Sequence, residues 1–456
     1  MSSLDEKFNE ETYDLLSRLI QNKCINPPGD EMRSIRTIED FLKNKGIDCK
    51  VFESNKNRGN LVASIPGIDP KAPGLIFGPS HVDVVPVTKP EDWKEDPFGG
   101  AIINGEIWGR GALDMLFIVA TQVQAFTKLH EEKFKPIGDL ILFIVADEEA
   151  GGSEGAEWMI KYHSSELGFA ERKMFAVTEA GGIQISKNKF VVITGEKGVT
   201  WLTLKFKGTP GHGSSPYLSD NAVHKASKAA LYLTDYCDKK MPIETTYLKN
   251  LVKGLGINFL LRFLISSKRL LPFILKFLGK RDKERSKILH SLSRMTISPN
   301  IIQGGTKTNI IASEASLELD IRTLPGQNYD DVVYHIKKAL KELSDEVEIV
   351  KSLTDEGITS IGTASPIESE FVSAMLRAVQ RDFKDACIVP MIASGATDGR
   401  FFREKDVDSY GFSLFNPDTP LNDIVNLAHG VDERISLKTV DLSLNVYYNL
   451  AKEFLE

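Results

Sequence analysis

Residues 139–163 read DLILFIVADEEAGGSEGAEWMIKYH, and the fold class follows from this stretch. The apolar run from Leu140 to Ala146 has the length of a strand, and it lacks the polar alternation of a sheet face open to water. Three acids and a glycine-rich turn follow it, and then GAEWMIKYH places Trp158, Met159 and Ile160 in a short helical pattern. The same unit recurs to either side. CKVFE, NLVASI and GLIFG precede the helical stretch IVATQVQAFTKLH, and KMFAVT follows the helix at 155–163. Strands that are apolar throughout, interleaved with helices, predict an α/β/α layered domain with a mostly parallel sheet. Upstream, Phe8, Tyr13, Leu15, Leu16, Leu19 and Ile20 recur at helical spacing until Pro27 and Pro28, and a second helix is expected over Met32–Asn44.

Downstream of residue 197 the pattern changes. VTWLTLKFKG alternates apolar with polar side chains, a helix is expected over Asn221–Tyr236, strands at MTISPNII and SLELDIRTL, a helix over Tyr329–Leu343, and a strand at VEIVKSL. That order is β-α-β-β-α-β, a ferredoxin-like α+β arrangement. The expected organisation is therefore a domain of residues 1–197 and 354–456 with an inserted domain at 198–353. Residues 249–287 depart from it, combining apolar runs with eleven Lys or Arg against Asp282 and Glu284. An extra pair of helices, packed on the second domain or at a dimer contact, is one reading; a cover over a greasy substrate and a surface touching anionic lipid are the others. Arg262, Lys268, Arg269, Pro272 and Lys276 interrupt the most apolar part, so no membrane span is expected there.

Composition narrows the function classes. With 42% hydrophobic and 26% charged residues in 456, the chain is expected to be globular, without repeats or low-complexity tracts. Its net charge of −7 provides no basic field for nucleic acid. Cys24, Cys49, Cys237 and Cys387 are far apart and show no CxxC spacing, which argues against a disulfide framework and a cysteine metal site and fits a reducing compartment. The opening MSSLDEKFNEETYDLL lacks a basic and an apolar region, so a cytoplasmic location is expected.

Five polar groups fall at strand ends or loops of the α/β domain: His81 in SHVD, Asp114 in WGRGALD, Glu149 in ADEEAGG, Glu179 in TEAGG and His429 in AHGVDERI. Each alone also reads as a cap or a solvated turn residue. Three adjacent acids at the mouth of a buried strand repel one another unless a cation neutralises them. Two imidazoles and three carboxylates suit a pair of zinc ions with one carboxylate bridging, and Asp83 is placed to orient His81. Gly151-Gly152-Ser153-Glu154-Gly155 matches the GxSxG pattern of serine hydrolases, but the serine comes about six residues after the strand rather than at the tight turn.

Together these residues resemble the two-zinc amidohydrolases that include carboxypeptidase G, aminoacylase, acetylornithine deacetylase and succinyl-diaminopimelate desuccinylase. SHVDVVP, WGRGALD, ADEEAGGSEGA, TEAGG, GHGSSP, DIRTLPG and AHGVDERI occur in the family's order over nearly the whole chain. The inserted segment, ATDGRFF and the HGVDE ending look most like the carboxypeptidase S and N-fatty-acyl-amino-acid hydrolase branch. The resemblance implies that His81 and Glu179 hold one zinc, Glu149 and His429 the other, and that Asp114 bridges; cobalt or manganese could take the place of zinc. It implies that Glu148 is the general base, that His212 steadies the reaction's oxyanion in the partner subunit of a homodimer, and that Arg322 and Asn309 bind the substrate's carboxylate.

The activity implied is cleavage of the amide of an N-acyl amino acid or small dipeptide, releasing a free amino acid. A deacetylase or desuccinylase of a polar biosynthetic intermediate, a hydrolase using Ser153 and a catalytically silent binding protein are the alternatives. The chain departs from the family pattern at Leu116 and Phe117, expected to add bulk beside the site and to favour an apolar substrate, and at Thr178 and Asp432, expected to retune the groups behind the ligands.

Overall fold

The computed structural model describes residues 6–169, 172–352 and 359–456. The chain forms two compact units, one of Met1–Thr194, Ser365–Met391 and Thr397–Glu456, the other of Gly195–Ala364 and Ile392–Ala396. The first crossing thus falls between Thr194 and Gly195, three residues before the expected 198. The expected return at 353–354 lies outside the described residues.

In the first unit, helices α1 (Glu6–Gln21) and α2 (Met32–Asn44) lead into strands β1 (Cys49–Glu53), β2 (Gly59–Ile65) and β3 (Gly74–His81). The sheet runs β1, β2, Leu140–Val145, β3, Met174–Thr178, Asp408–Gly411 and Lys189–Glu196. The four strands at its centre are parallel, and the pairings outside them are antiparallel. Alternation along each central strand divides the interior into two cores. Leu75, Phe77, Leu140, Leu142 and Ile144 face α1, α2, helix α3 (Phe117–Glu131) and the helices Glu370–Gln380 and Leu437–Leu455. Ile76, Ile141, Phe143 and Val145 face helix α4 (Ala156–His163) and Phe402. Burying each such Leu or Phe contributes roughly 1.5–3 kcal/mol, which is why Leu140–Val145 is apolar throughout and β3 and Met174–Thr178 carry polar residues only at their ends.

The helix α3 corrects one expectation. Leu116 and Phe117 begin a helix that is buried nearly all round, and they point into the core, where the Phe117 ring meets Phe415 edge-on at 5.5 Å. They add no bulk to a site and carry no preference for an apolar substrate.

The second unit is an antiparallel sheet in the order Thr296–Gly304, Glu314–Thr323, Gly198–Lys207, Val347–Lys351. Helices α5 (Ala222–Lys239) and, later in the chain, Tyr329–Leu340 lie on one face of it. Leu202, Leu204 and Phe206 meet Ala226, Leu233, Val332 and Ile336 there, while Thr203 on the other face bonds Glu318. The departure between the first helix and the second strand is four short helices rather than a pair: α6 (Thr246–Leu255), α7 (Phe259–Ser266), α8 (Leu271–Leu278) and α9 (Lys283–Ser291). Local chemistry breaks the apolar run into pieces. Gly256 ends α6 in the left-handed region, the Asn258 side chain caps α7 through Leu261 N at 2.9 Å, Pro272 opens α8, and Asp282 caps α9 through Arg285 N at 3.0 Å. No helix among the described residues is long and apolar enough to cross a membrane. All four cysteines are free thiols.

Candidate metal centre

Three adjacent parallel strands of the first unit, Leu140–Val145, β3 and Met174–Thr178, end on the same edge of the sheet, where open α/β sheets place their ligands. The chain turns there and presents His81, Glu148, Glu149 and Glu179. Asp114 arrives from the turn before α3. That turn needs Gly111 at φ +86°, where a Cβ would lie 2.4 Å from Val84 Cγ1. His429 follows the helix Leu421–Leu427.

Asp114 stands between the two imidazoles and offers one oxygen to each. Its Oδ1 lies 3.5 Å from His81 Nε2 and its Oδ2 3.1 Å from His429 Nε2. His429 Nε2 is also 3.3 Å from Glu149 Oε1, and His81 Nε2 is 3.8 Å from Glu179 Oε2. Glu148 Oε2 comes within 4.0 Å of the same His81 nitrogen, so distance alone does not separate its role from that of Glu179. The ligand atoms of His81, Asp114 and Glu149 all lie within 4.8 Å of one another, as do those of His81, Glu148 and Glu179. Two of these atoms, His81 Nε2 and Glu149 Oε1, are buried with no hydrogen-bond partner. A buried nitrogen and a buried carboxylate oxygen left unpaired toward one another are what a divalent cation satisfies, and imidazole with carboxylate is a donor set for zinc, manganese or cobalt.

The titration behaviour of the group is that of acids and bases crowded out of water. Burial, reinforced by the charge of Glu179, pushes the Glu148 carboxyl well above its ordinary range, and burial raises Glu179 to about 7. Burial works the same way on Asp114, but the two imidazoles of His429 and His81 beside it outweigh burial and hold this carboxylate low. The carboxylates of Asp114 and Glu149 beside it raise His429 to about 10. Behind the cluster, Asp83 binds His81 Nδ1 through its carbonyl at 3.0 Å and its Oδ1 at 3.3 Å. That carboxylate is itself fixed by Asn26 Nδ2 at 2.8 Å and by the backbone N–H groups of Glu148 and Glu149 at 3.2 and 3.1 Å.

Several supporting residues escaped the sequence reading. Arg110 donates to Glu433 at 2.5 Å, and the other Glu433 oxygen accepts from Leu113 N and Asp114 N at 2.9 and 3.1 Å, so a buried ion pair fixes the backbone that carries Asp114. Arg58 pairs with Asp147 and, at 3.2 Å, with Glu31. Asp398 is buried with neither oxygen hydrogen-bonded, and burial raises it to about 8 despite Arg400. Glu433 and Asp398 lie inside the quoted motifs AHGVDERI and ATDGRFF, which was the available signal. Of the two suspected retuning positions, Thr178 donates to the Pro79 carbonyl and Asp432 pairs with Lys94 at 3.1 Å, so each serves a neighbouring strand or loop. The Ser153 hydroxyl donates to Asp147 at 3.1 Å, a carboxylate rather than an imidazole base. Its glycines serve packing: a Cβ on Gly155 would lie 1.8 Å from the Ala146 carbonyl oxygen.

His212, Asn309 and Arg322 all belong to the second unit. His212 is exposed, its Nδ1 2.7 Å from Ser214 Oγ, on a two-residue strand opposite Ile310. The Asn309 carbonyl accepts from Gly213 N at 2.8 Å, which brings Asn309 beside the His212 turn. Arg322 is held in a two-pronged pair with Asp320 at 2.7 and 3.2 Å.

Comparison with known proteins gives a consistent picture. The chain is 27% identical over 405 residues to a probable carboxypeptidase S-like protein of Dictyostelium discoideum, covering 86% of this chain and 74% of that one. It is 25% identical over 457 residues to aminoacylase-1 of Sus scrofa, covering 99% and 97%. Its fold matches that of an M20 family metallo-carboxypeptidase from Sulfolobus solfataricus at a TM-score of 0.69 and 18% identity, over 99% of both chains. Residues 79–453, which include every member of the cluster around Asp114, match the model of peptidase family M20/M25/M40, and the chain belongs to that family of hydrolases.

Proposed function

We propose that this protein uses two divalent metal ions to hydrolyse the amide bond of N-acyl amino acids or small dipeptides, releasing a free amino acid. The observation that carries the reading is Asp114, one oxygen toward His81 and the other toward His429. In this arrangement His81 and Glu179 would hold one ion and Glu149 and His429 the other, with Asp114 shared between them. Bound there, the ions supply Lewis-acid polarisation of the scissile carbonyl and of a water molecule. Glu148 takes the proton from the attacking water and delivers it to the leaving nitrogen. Asp83 turns His81 so that Nε2 faces the cluster, and Glu433 holds the Asp114 backbone.

Metal content and turnover test the reading together. Two ions per chain are expected, with hydrolysis of a panel of N-acyl amino acids and dipeptides that disappears on chelation and returns with zinc, cobalt or manganese. The preferred substrate chooses between this reading and a deacetylase or desuccinylase of a polar intermediate. Turnover indifferent to chelation would sink the metal assignment.

The second unit completes the proposal as a lid and dimerisation domain. His212 steadies the developing oxyanion in a partner subunit's site, and Asn309 and Arg322 bind the substrate carboxylate, Arg322 by exchanging Asp320 for substrate. Mixed dimers of Glu148→Gln and His212→Ala chains are then expected to recover part of the activity that each homodimer lacks; no recovery would confine His212 to its own chain.

A further inference from the structure

The helices α6–α9 carry the largest concentration of exposed apolar side chains in the described chain. In α7, FLLRFLIS, no residue is buried. In α8, Leu271 and Leu275 are buried one turn apart, while Phe273 and Phe277, also one turn apart, point the other way. Phe259, Phe263, Phe273 and Phe277 are 58–83% exposed. A soluble surface tolerates single exposed phenylalanines, but four of them on two successive helices, with the exposed Leu260 beside them, mark a surface that meets something apolar.

The charge on the same segment narrows what that is. Residues 249–287 hold eleven Lys or Arg against two acids, in a chain whose net charge is −7. Both acids are already paired, Asp282 with Arg285 at 3.2 Å and Glu284 with Lys287 at 2.7 Å. Arg262 lies between Phe259 and Phe263, and Lys276 between Phe273 and Phe277. Arg281 stacks over the Phe277 ring at 4.6 Å. A second copy of this chain is a poor occupant, because a two-fold contact would press this basic patch against itself. Apolar groups interleaved with cations match instead the interface of an anionic bilayer, where phenyl rings enter the acyl boundary and cations meet lipid phosphates and carboxylates.

The segment is also built as a firm platform. Leu248, Leu251, Val252, Leu271 and Leu275 are buried, and Lys268 pairs with Glu244 at 3.2 Å. Where it returns to the sheet, the buried Lys197 amine donates to the carbonyls of Ser291 and Arg294, both at 3.0 Å, and to Thr296 Oγ1 at 3.3 Å.

We infer that α7 and α8 form a docking surface for an anionic lipid bilayer, Phe259, Phe263, Phe273 and Phe277 inserting while Arg262, Lys276 and Lys280 bind headgroups. The inference goes beyond the proposed hydrolysis and rests on neither the metals nor the substrate. The test is flotation of the full-length protein with vesicles of phosphatidylcholine alone or mixed with phosphatidylserine. Binding is expected to be about tenfold or more stronger on the mixed vesicles and to weaken with salt. Replacing the four phenylalanines by serine, or Arg262, Lys276 and Lys280 by glutamate, is expected to lower binding about tenfold or more while leaving the circular dichroism spectrum and the hydrolysis of soluble substrates unchanged. No binding, equal binding to both vesicles, or retention of binding by both variants would overturn the inference. If the phenylalanine variant instead altered only the mass of the protein in solution, the surface would belong to a second copy.

Discussion

The edge of the first unit's sheet and the outer face of α7 and α8 break the same rule in opposite directions. At the sheet edge, carboxylates and imidazoles sit where water is excluded, with His81 Nε2 and Glu149 Oε1 lacking any hydrogen-bond partner. On the helices, phenylalanines sit where water is plentiful. Each arrangement costs stability in isolation, since an unpaired buried polar atom costs about 1–3 kcal/mol and an exposed phenyl group forgoes its burial free energy. Each also names its partner: unpaired acids and imidazoles in a cluster call for cations, and rings among lysines and arginines call for an anionic apolar surface. Placement relative to water distinguishes the two regions more sharply than residue type does.

The largest expected effect tests whether the buried acids are chemically distinct or merely crowded. Glu148 and Glu149 are neighbours in sequence, yet only Glu149 approaches His429, and Glu148 is the carboxyl that burial and Glu179 push well above its ordinary range. Glu148→Gln keeps the shape and removes the base. Turnover is expected to fall about 10²–10⁴-fold with the metal content unchanged, measured by steady-state hydrolysis beside elemental analysis. A variant that lost its metal instead would make Glu148 a ligand and erase the distinction between the two glutamates.

The sequence made the first region legible wherever chemistry fell on a strand end. His81, Glu149 and Glu179 each follow an apolar run that reads as a buried strand, so the sequence alone puts these three at strand ends of the α/β domain. The parallel centre of the sheet and the alternating second sheet were readable for the same reason. What stayed hidden was long-range pairing. Glu433 holds the backbone of Asp114 from 319 residues away, and Asn26 reaches Asp83 across 57. No local pattern encodes such contacts, because glutamate and asparagine are ordinary surface residues until a fold surrounds them. Leu116 and Phe117 were misplaced for the converse reason: sequence proximity to Asp114 suggested the site, whereas the turn at Gly111 and the start of α3 rotate both side chains into the core. In the second region composition announced an unusual surface, and the interruptions at Gly256, Asn258, Pro272 and Asp282 decided how many helices it would take.

A smaller effect sharpens the comparison through two histidines. His429, among acids, is raised to about 10 by the carboxylates of Asp114 and Glu149 beside it. His290, at the end of α9, is lowered to about 4 by burial and by the charge of Arg294 and Lys197, which outweigh Asp238 at 3.9 Å. Its Nε2 has no hydrogen-bond partner. With a folded pKa below the unfolded value of about 6.5, the unfolded chain binds more protons between pH 4 and 6.5 than the folded one. Stability therefore rises with pH across that window, and the part due to His290 is lost as pH falls from about 6.5 towards 4. Because the ring is partly open to water, the expected size is on the order of 1 kcal/mol. Urea denaturation at pH 7 and pH 5 of the parent and of His290→Gln isolates it, since titration of every other group cancels in the difference. The parent is expected to lose more stability on acidification than the variant. An equal loss would mean that His290 exchanges its proton freely in the folded state, and that the basic character of α9 does not extend to the packed side of the helix.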